Sequence, residues 1–259
     1  RMMDWTSTNN SKQVAWQAHV PSYAYREAGR FETAIALCNR VQRDCWLNVP
    51  HQASDDYVTR LAQIVRERLD PGLKAYIEYS NETWNPQFAQ YQYCVDQGQA
   101  AMLPGSSPHT RGARYHAYRA KQIFGLFDEV FGDQARARVV RVLAGQTGET
   151  WLLGEHFDQI GGSAQFDVYA TAPYIGPSSV DGFGGKADSW NLDQLFDHLF
   201  NVALPSAVSD MNNIAQVVAS YQPAISFVAY EGGQHLAGGQ ASDHARTLYV
   251  QAQTDARMS

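Results

Sequence analysis

Short β-type runs alternate with helical patterns along the 259-residue chain, and this alternation limits the possible folds more than any other feature. Each run is rich in Val, Ile, Tyr, Phe or Trp and stops at polar or turn residues, which is typical of strands. Strands that alternate with helices predict a parallel sheet with helical connections. The predicted strands are Arg1–Trp5, Cys45–Pro50, Leu73–Ser80, Val139–Ala144, Phe166–Tyr174 and Ile225–Glu231.

Helices are predicted between these strands from apolar stripes and terminal signals. Ser54 precedes two acidic residues and an amphipathic stripe, so it is predicted to cap a helix. Asn85 and Pro86 are predicted to be the N-cap and the first residue of another helix. Further helices are predicted over 115–132, over 192–199 with an interruption at Pro205, and over 243–253.

Composition and charge exclude several function classes. Hydrophobic residues make up 44% of the chain and charged residues 18%, which excludes a disordered or coiled-coil protein. The net charge of −6, without a basic block, argues against a nucleic-acid partner. No apolar run reaches the roughly 18 residues of a membrane span, so no membrane partner is expected. The 14 Tyr, 11 Phe and 6 Trp favour a carbohydrate partner, because sugar rings stack on aromatic faces, although a large core also uses aromatic residues.

The three cysteines give no sign of a metal or redox site. Cys38, Cys45 and Cys94 have no zinc spacing and cannot all pair within one chain. Reduced, partly buried thiols are predicted, and a Cys38–Cys45 bridge stays open as an alternative. No metal and no cofactor are expected, and the sequence leaves the oligomeric state open.

Polar residues collect at the carboxyl ends of the predicted strands. No GxGxxG motif follows the first strand, which argues against a dinucleotide-binding sheet. A TIM barrel has its active site at the carboxyl ends of its strands, and a distribution over many strands favours this fold over an open sheet. The residues concerned are His51, Asn81, Glu82, Gln146, Tyr174 and Glu231.

Two of these residues are carboxylates that follow apolar strands, Glu82 in YIEYSNETWN and Glu231 in AYEGG. Two carboxylates that face one cleft suffice for retaining glycoside hydrolysis, in which one donates a proton to the leaving oxygen and the other attacks the anomeric carbon. Retention requires a separation of about 5–5.5 Å, which opposite strands of a barrel mouth can provide. Strand-end glutamates also commonly pair with Lys or Arg, so the residues alone leave both interpretations open.

The segment YIEYSNETWN resembles the acid/base strand of the clan A glycoside hydrolases, TIM-barrel retaining glycosidases whose catalytic residues lie on the fourth and seventh strands. The resemblance covers residues 1–236. It implies that Glu82 is the acid/base, that Glu231 is the nucleophile, and that Asn81 binds the sugar 2-hydroxyl. The stretch from DCWLNVPH through SNETWN is also similar to bacterial proteins described as cellulose-binding or cellulase-like.

The same resemblance implies supporting roles for three further residues. Arg1 would orient the nucleophile, His51 would bind sugar, and Tyr174 would donate a hydrogen bond to the nucleophile carboxylate. One of Trp5 and Trp84 is expected to line the cleft as a sugar platform.

Other polar residues near the strand ends carry more than one interpretation. Gln146 is expected to contact the substrate. Glu78 is expected to be a buried structural partner of Arg1 or of another cation, because it points the same way as Glu82 on the strand. Glu149 and His156, predicted to lie in a loop, offer a rival acid.

The expected fold is a (β/α)8 TIM barrel of the clan A type that lacks its first and last strands, in one domain over 1–259. Six strands are predicted, and the first and last correspond to the second and seventh of the family. Since six parallel strands do not close with ordinary shear, Arg1–Trp5 and Ile225–Glu231 are expected to be free edges of the sheet. A secreted, extracellular or periplasmic bacterial location is expected, and no signal peptide is recognised in the chain.

The function expected is that of a retaining glycoside hydrolase that cleaves β-glycosidic bonds in a polysaccharide or oligosaccharide by double displacement. The alternative is a non-catalytic carbohydrate-binding protein on the same scaffold. An esterase-like α/β hydrolase would require a GxSxG elbow, which the sequence lacks. The sugar, the linkage and the endo or exo mode stay open.

Overall fold

A computed structural model of the chain describes residues 1–16, 31–177, 186–238 and 241–258. The chain divides into two compact units, each assembled from three separate stretches. Unit 1 comprises Arg1–Gln146, Thr150–Ala170 and Val218–Val228. Unit 2 comprises Thr147–Glu149, Thr171–Val217 and Ala229–Ser259.

Seven strands are present in the described residues. They are β1 (Cys45–Val49), β2 (Ala75–Tyr79), β3 (Val139–Ala144), β4 (Val168–Thr171), β5 (Tyr174–Ile175), β6 (Ser226–Ala229) and β7 (Gly233–Gln234). Five of them form one sheet in the order β1-β2-β3-β4-β6, and β5 pairs with β7. The pairs from β1 to β4 are parallel, which confirms the prediction of a parallel α/β fold. Neighbours in this sheet follow chain order, so these strands contain no reversal of the doubly wound kind.

Strands β1 to β4 are buried along most of their length, as is usual in a parallel sheet, whereas β6 is half-buried to exposed. Leu47, Ile77, Val142 and Leu143 are all 0% exposed. The helices are α1 (Phe31–Val41), α2 (Asp55–Arg68), α3 (Ala89–Ala100), α4 (Pro108–Phe131), α5 (Ala135–Arg138), α6 (Thr150–Ile160), α7 (Leu192–His198), α8 (Leu204–Ala219) and α9 (Asp243–Gln253).

Local sequence signals place several of these helices as predicted. The Ser54 hydroxyl accepts a hydrogen bond from the Tyr57 amide and begins α2. Helix α4 ends at Gly132, whose φ of +55° suits a residue without a Cβ. Helix α9 has the predicted bounds and is capped by the Ser242 hydroxyl.

The strand predicted over Arg1–Trp5 is wrong, because these residues lie in turns. The Thr6 amide donates to the Met2 carbonyl and the Thr6 hydroxyl donates to the same oxygen, so local bonds replace a strand ladder. One backbone bond, from the Met2 amide to the Trp46 carbonyl at 3.0 Å, joins this segment to β1. Among the described residues, β1 and not Arg1–Trp5 lies at one end of the strand order, and β6 lies at the other end, as predicted for Ile225–Glu231.

Two helix predictions also require correction. The N-cap of α3 is Phe88, not Asn85, because the Asn85 carboxamide oxygen accepts from the Gln87 amide in a turn of its own. Pro205 does not interrupt the helical path after Leu192. It is the second residue of α8, where the missing amide hydrogen costs least, and a π-helical turn over Leu199–Ala203 precedes it.

Unit 2 has its own hydrophobic core between helices α7 and α9 and the π-helical turn. Its buried members are Ala187, Leu195, Phe196, Leu199, Ala203, Ala241, Ala245, Leu248, Tyr249 and Ala252. Across both units, none of the helices in the described residues has the length and apolar character needed to cross a bilayer.

Candidate functional site

The segment that follows β2 carries the sharpest sequence motif and also the most unusual backbone of unit 1. Ser80 has a φ of +60° and Glu82 a φ of +41°, so two residues with side chains lie in the left-handed region on either side of Asn81. Such conformations cost free energy, and they persist only where surrounding contacts specify them strongly.

The main chain on both sides of Asn81 is held by buried hydrogen bonds. The Ser80 amide donates to the Val49 carbonyl at 2.8 Å, and the Asn48 carboxamide donates to the Ser80 carbonyl at 2.7 Å. The Gln90 carboxamide donates to the Asn81 carbonyl at 2.8 Å. Strand β1 therefore holds the main chain of Ser80, and helix α3 holds the carbonyl of the Asn81–Glu82 peptide.

Asn81 is 2% exposed, and both ends of its carboxamide have protein partners. Its Oδ1 accepts from Arg1 Nη2 at 2.5 Å, and its Nδ2 donates to Asn9 Oδ1 at 2.8 Å. Asn9 Oδ1 also accepts from Gln90 Nε2 at 2.7 Å. The structure thus brings the two predicted residues Arg1 and Asn81 together.

Glu78 is the buried partner of Arg1, which confirms the structural role predicted for it. Arg1 donates from Nε to Glu78 Oε2 at 2.9 Å and from Nη2 to Oε1 at 2.6 Å. Trp46 Nε1 donates to the same Oε2 at 2.7 Å. The side chain of Arg1 is 6% exposed and that of Glu78 is 0% exposed, so the ion pair is desolvated and its geometry is bidentate.

Glu82 is half-buried and contacts the turn that follows it. Its Oε2 accepts from Asn85 Nδ2 at 2.8 Å, and its carbonyl accepts from the Asn85 amide at 3.0 Å. Asn85 was predicted to begin a helix, and it instead orients the carboxylate predicted to be the acid/base. Trp84, half-buried, lies between these two residues in the chain.

The remaining predicted residues of unit 1 differ in exposure. His51 is 1% exposed, its ring packs on Tyr93 at 5.1 Å between centroids, and burial lowers its pKa to about 4. A neutral imidazole at this position retains one donor and one acceptor nitrogen. Trp5 is 54% exposed, and Gln146 is exposed as well.

Sequence reasoning missed a buried polar group that lies behind the Glu82 segment. Thr83 Oγ1 lies 2.9 Å from His116 Nδ1, and the His116 ring stacks on His156 with 4.7 Å between centroids. His156 lies inside α6, so the loop predicted for it is wrong, and at 1% exposure it does not offer a surface acid. The sequence carries no signal for this pair, because the two histidines lie on separate helices, α4 and α6, that meet only in the folded chain.

Unit 2 brings together the two predicted residues at its own strand ends. Tyr174 Oη donates to Glu231 Oε1 at 2.7 Å, which is the contact implied for a tyrosine and a nucleophile carboxylate. The Tyr174 ring lies 4.8 Å from the His235 ring. The pairing of β5 with β7 sets this geometry, since Tyr174 is the register partner of Gly233.

The two glycines after Glu231 are required by close packing and by backbone conformation. A Cβ on Gly232 would lie 2.9 Å from the Pro173 carbonyl oxygen. Gly233 has a φ of +115°, which side chains of L residues rarely allow, and its amide donates to the same Pro173 oxygen at 3.2 Å. The sequence EGG therefore directs Glu231 toward β5.

The described residues contain no group of three His, Cys, Asp or Glu side chains that could hold a metal ion. Cys38, Cys45 and Cys94 are buried free thiols, which confirms the prediction of reduced cysteines. Burial raises the pKa of Cys94 to about 12, so this thiol has no nucleophilic character at neutral pH. No protein-family model matches the chain, and no curated protein matches it either.

Proposed function

We propose that the chain is a retaining glycoside hydrolase of the clan A type, with Glu82 as acid/base and Glu231 as nucleophile, acting on a β-linked glycan. The observation that carries the proposal is the 2.7 Å hydrogen bond from Tyr174 Oη to Glu231 Oε1. A donor aimed at one oxygen orients a carboxylate for attack. The chain-order parallel sheet supports the barrel ancestry that this family implies.

The proposed reaction has two displacements. Glu82 donates a proton to the glycosidic oxygen while Glu231 attacks the anomeric carbon, and the aglycone departs as an alcohol. Glu82 then removes a proton from water, which attacks the anomeric carbon and releases Glu231. The Asn85 carboxamide, at 2.8 Å from Glu82 Oε2, orients the acid during both steps.

A second function, carbohydrate binding without hydrolysis, is favoured by one observation. Asn81, which the family resemblance assigns to the sugar 2-hydroxyl, is 2% exposed and uses both ends of its carboxamide on Arg1 and Asn9. Hydrogen bonds to the 2-hydroxyl that strengthen in the transition state supply part of glycosidase catalysis. Loss of that contact would weaken the chemistry more than the binding of the glycan.

The test compares wild type with E82Q, E231Q and the matched control E67Q, whose glutamate lies exposed on α2. The substrates are aryl β-glycosides of glucose, xylose, mannose and galactose. We expect both site variants to lose about 10²–10⁴-fold in kcat/KM and E67Q to lose nothing. The loss of kcat/KM in E82Q should be smaller for a substrate with a dinitrophenyl leaving group, because this group departs without protonation.

Azide separates the two roles. With E82A, azide should restore turnover and give the β-glycosyl azide, because the glycosyl-enzyme is intact. With E231A it should give the α-azide by direct attack. Activity equal to wild type in both E82Q and E231Q would refute the assignment. A wild-type chain that binds cello- or xylo-oligosaccharides by calorimetry but hydrolyses none would establish the second function.

A further inference from the structure

The hydrogen bond between Thr83 and His116 joins the Glu82 segment to the helical layer of unit 1. Thr83 is the residue directly after Glu82, and its hydroxyl lies 2.9 Å from His116 Nδ1. Thr83 is 4% exposed and His116 is 2% exposed, so water does not compete for this bond. Helix α4 thereby contacts the residue next to the proposed acid through a side chain.

The His116 ring is fixed by packing. It stacks on His156 of α6 at 4.7 Å between centroids with an interplanar angle of 22°, and the Tyr79 ring of β2 lies 5.5 Å away. Within the described residues, His116 Nε2 and both ring nitrogens of His156 have no hydrogen-bond partner. Burial of unpartnered ring nitrogens costs free energy that a Phe or Leu would avoid, so the Nδ1 contact to Thr83 is the chemical feature that the imidazole adds.

The Glu82 backbone needs such a contact because its conformation is strained. Ser80 and Glu82 both have positive φ, and before Glu82 the Ser80 carbonyl is held from β1 and the Asn81 carbonyl from α3. After Glu82, the Asn85 amide donates to the Glu82 carbonyl at 3.0 Å and closes a local turn. The Thr83 side chain, through His116, ties the main chain on this side of Glu82 to helix α4.

We propose that His116, supported by the stacked His156, is a positioning residue that holds Glu82 in its strained conformation through the Thr83 hydroxyl. The role given to Glu82 rests on the proposed function, whereas the mechanical link from α4 to the Glu82 segment does not. A displacement of about 1 Å at a catalytic group can cost about 10²-fold in rate, so one buried hydroxyl can control the activity of the site.

The link is tested by ¹⁹F NMR on protein labelled with 5-fluorotryptophan. Trp84 follows Thr83 and reports on the segment, W84F assigns its resonance among the 6 tryptophans, and Trp190 in unit 2 is the internal reference. T83V removes the hydroxyl at nearly constant volume, and T83S is the matched control that retains it. We expect T83V to shift the Trp84 resonance, with T83S close to wild type and Trp190 unchanged in all variants.

A second variant controls for the possibility that the valine side chain of T83V, and not the loss of the hydroxyl, shifts the Trp84 resonance. H116F keeps a flat ring in the stack and removes Nδ1, so it should shift Trp84 as T83V does. The double variant should add little to either single change, because both remove the same interaction. A Trp84 resonance that is unchanged in both T83V and H116F would overturn the proposal, and so would fully additive shifts.

Kinetics separate this inference from the proposed function. If wild type hydrolyses an aryl β-glycoside, T83V should lower kcat by about 10- to 100-fold with KM within about 3-fold, and T83S should restore it. Equal losses in T83S and T83V would overturn the positioning role. If wild type hydrolyses nothing while T83V still shifts Trp84, the glycosidase assignment fails and the link between α4 and the Glu82 segment stands.

Discussion

Mild acid should destabilise unit 1, because three of its imidazoles are buried in a neutral form. His51, His116 and His156 are 1%, 2% and 1% exposed. Burial lowers the pKa of His51 to about 4 and that of His116 to about 3. Burial and the facing His116 ring lower the pKa of His156 well below its usual value. The aromatic neighbours Tyr79 and Tyr169 stay neutral, because burial raises the pKa of both phenols.

The direction of the effect follows from proton binding in the two states. An unfolded histidine has a pKa of about 6.5. Below that pH the unfolded chain therefore binds more protons than the folded chain, in which these histidines stay neutral. Stability is therefore fully present above pH 6.5 and decreases as the pH falls toward 4 and 3. At pH 5, His51 and His116 each remove about 2 kcal/mol from the free energy of unfolding, and His156 adds to this loss. A total above about 4 kcal/mol is a large part of the 5–15 kcal/mol typical of a domain.

Urea unfolding at intervals from pH 8 to pH 5 measures this loss. The slope of the unfolding free energy against pH gives the number of protons taken up, which should approach three between pH 6 and pH 5. H51Q should lower that number by about one, and H244Q, which removes an exposed imidazole of unit 2, is the matched control. An unfolding midpoint that stays constant from pH 7.5 to pH 5 would refute the reasoning.

Three further substitutions test the packing and the site. G125A on the exposed side of α4, where nothing lies within 4 Å of an added Cβ, should stabilise the protein by up to about 1 kcal/mol, seen as a higher Tm. G145A should lower the Tm and cost about 1–3 kcal/mol, because its Cβ would clash with the Tyr169 hydroxyl; an equal Tm for both alanine variants would contradict this packing. Y174F removes the donor to Glu231 from a ring that is 40% exposed, so kcat should fall about 10-fold with an unchanged urea midpoint. A lower midpoint with normal kcat would instead make that hydrogen bond structural.

The parts of the fold that depend on local sequence could be predicted well. The strand over Val139–Ala144 has its predicted bounds, since a short run of β-branched and aliphatic residues between two helical patterns is typical of a buried strand. The Ser54 cap is local chemistry between a hydroxyl and an amide three residues on. The pair Arg1–Glu78 could be predicted because a buried charge needs a partner, whereas the contact between Tyr174 and Glu231 was implied by the family resemblance.

The parts that were missed depend on contacts between distant residues or on competing local bonds. Arg1–Trp5 has the composition of a strand, but the Thr6 hydroxyl and amide close turns on Met2 instead. Asn85 carries a good capping side chain that is used on Glu82 and Gln87. The stacking of a histidine of α4 on a histidine of α6 could not be predicted from hydrophobic periodicity, because the sequence does not distinguish a buried histidine from an exposed one.

The assembly of unit 1 from separate stretches also has a consequence for synthesis on the ribosome. When the residues up to Ala170 have emerged, β1 to β3 and most of β4 are complete, but β6, the second neighbour of β4, has not been made. The Ser226 amide, which donates to the Asp167 carbonyl at 2.9 Å in the complete protein, has not yet been synthesised at this stage. Throughout the translation of Thr171–Val217 the nascent chain therefore presents an open strand edge, which other nascent chains can pair with. Slow codons or chaperone binding within that interval should affect the yield of folded protein more than the same changes placed after Ala229.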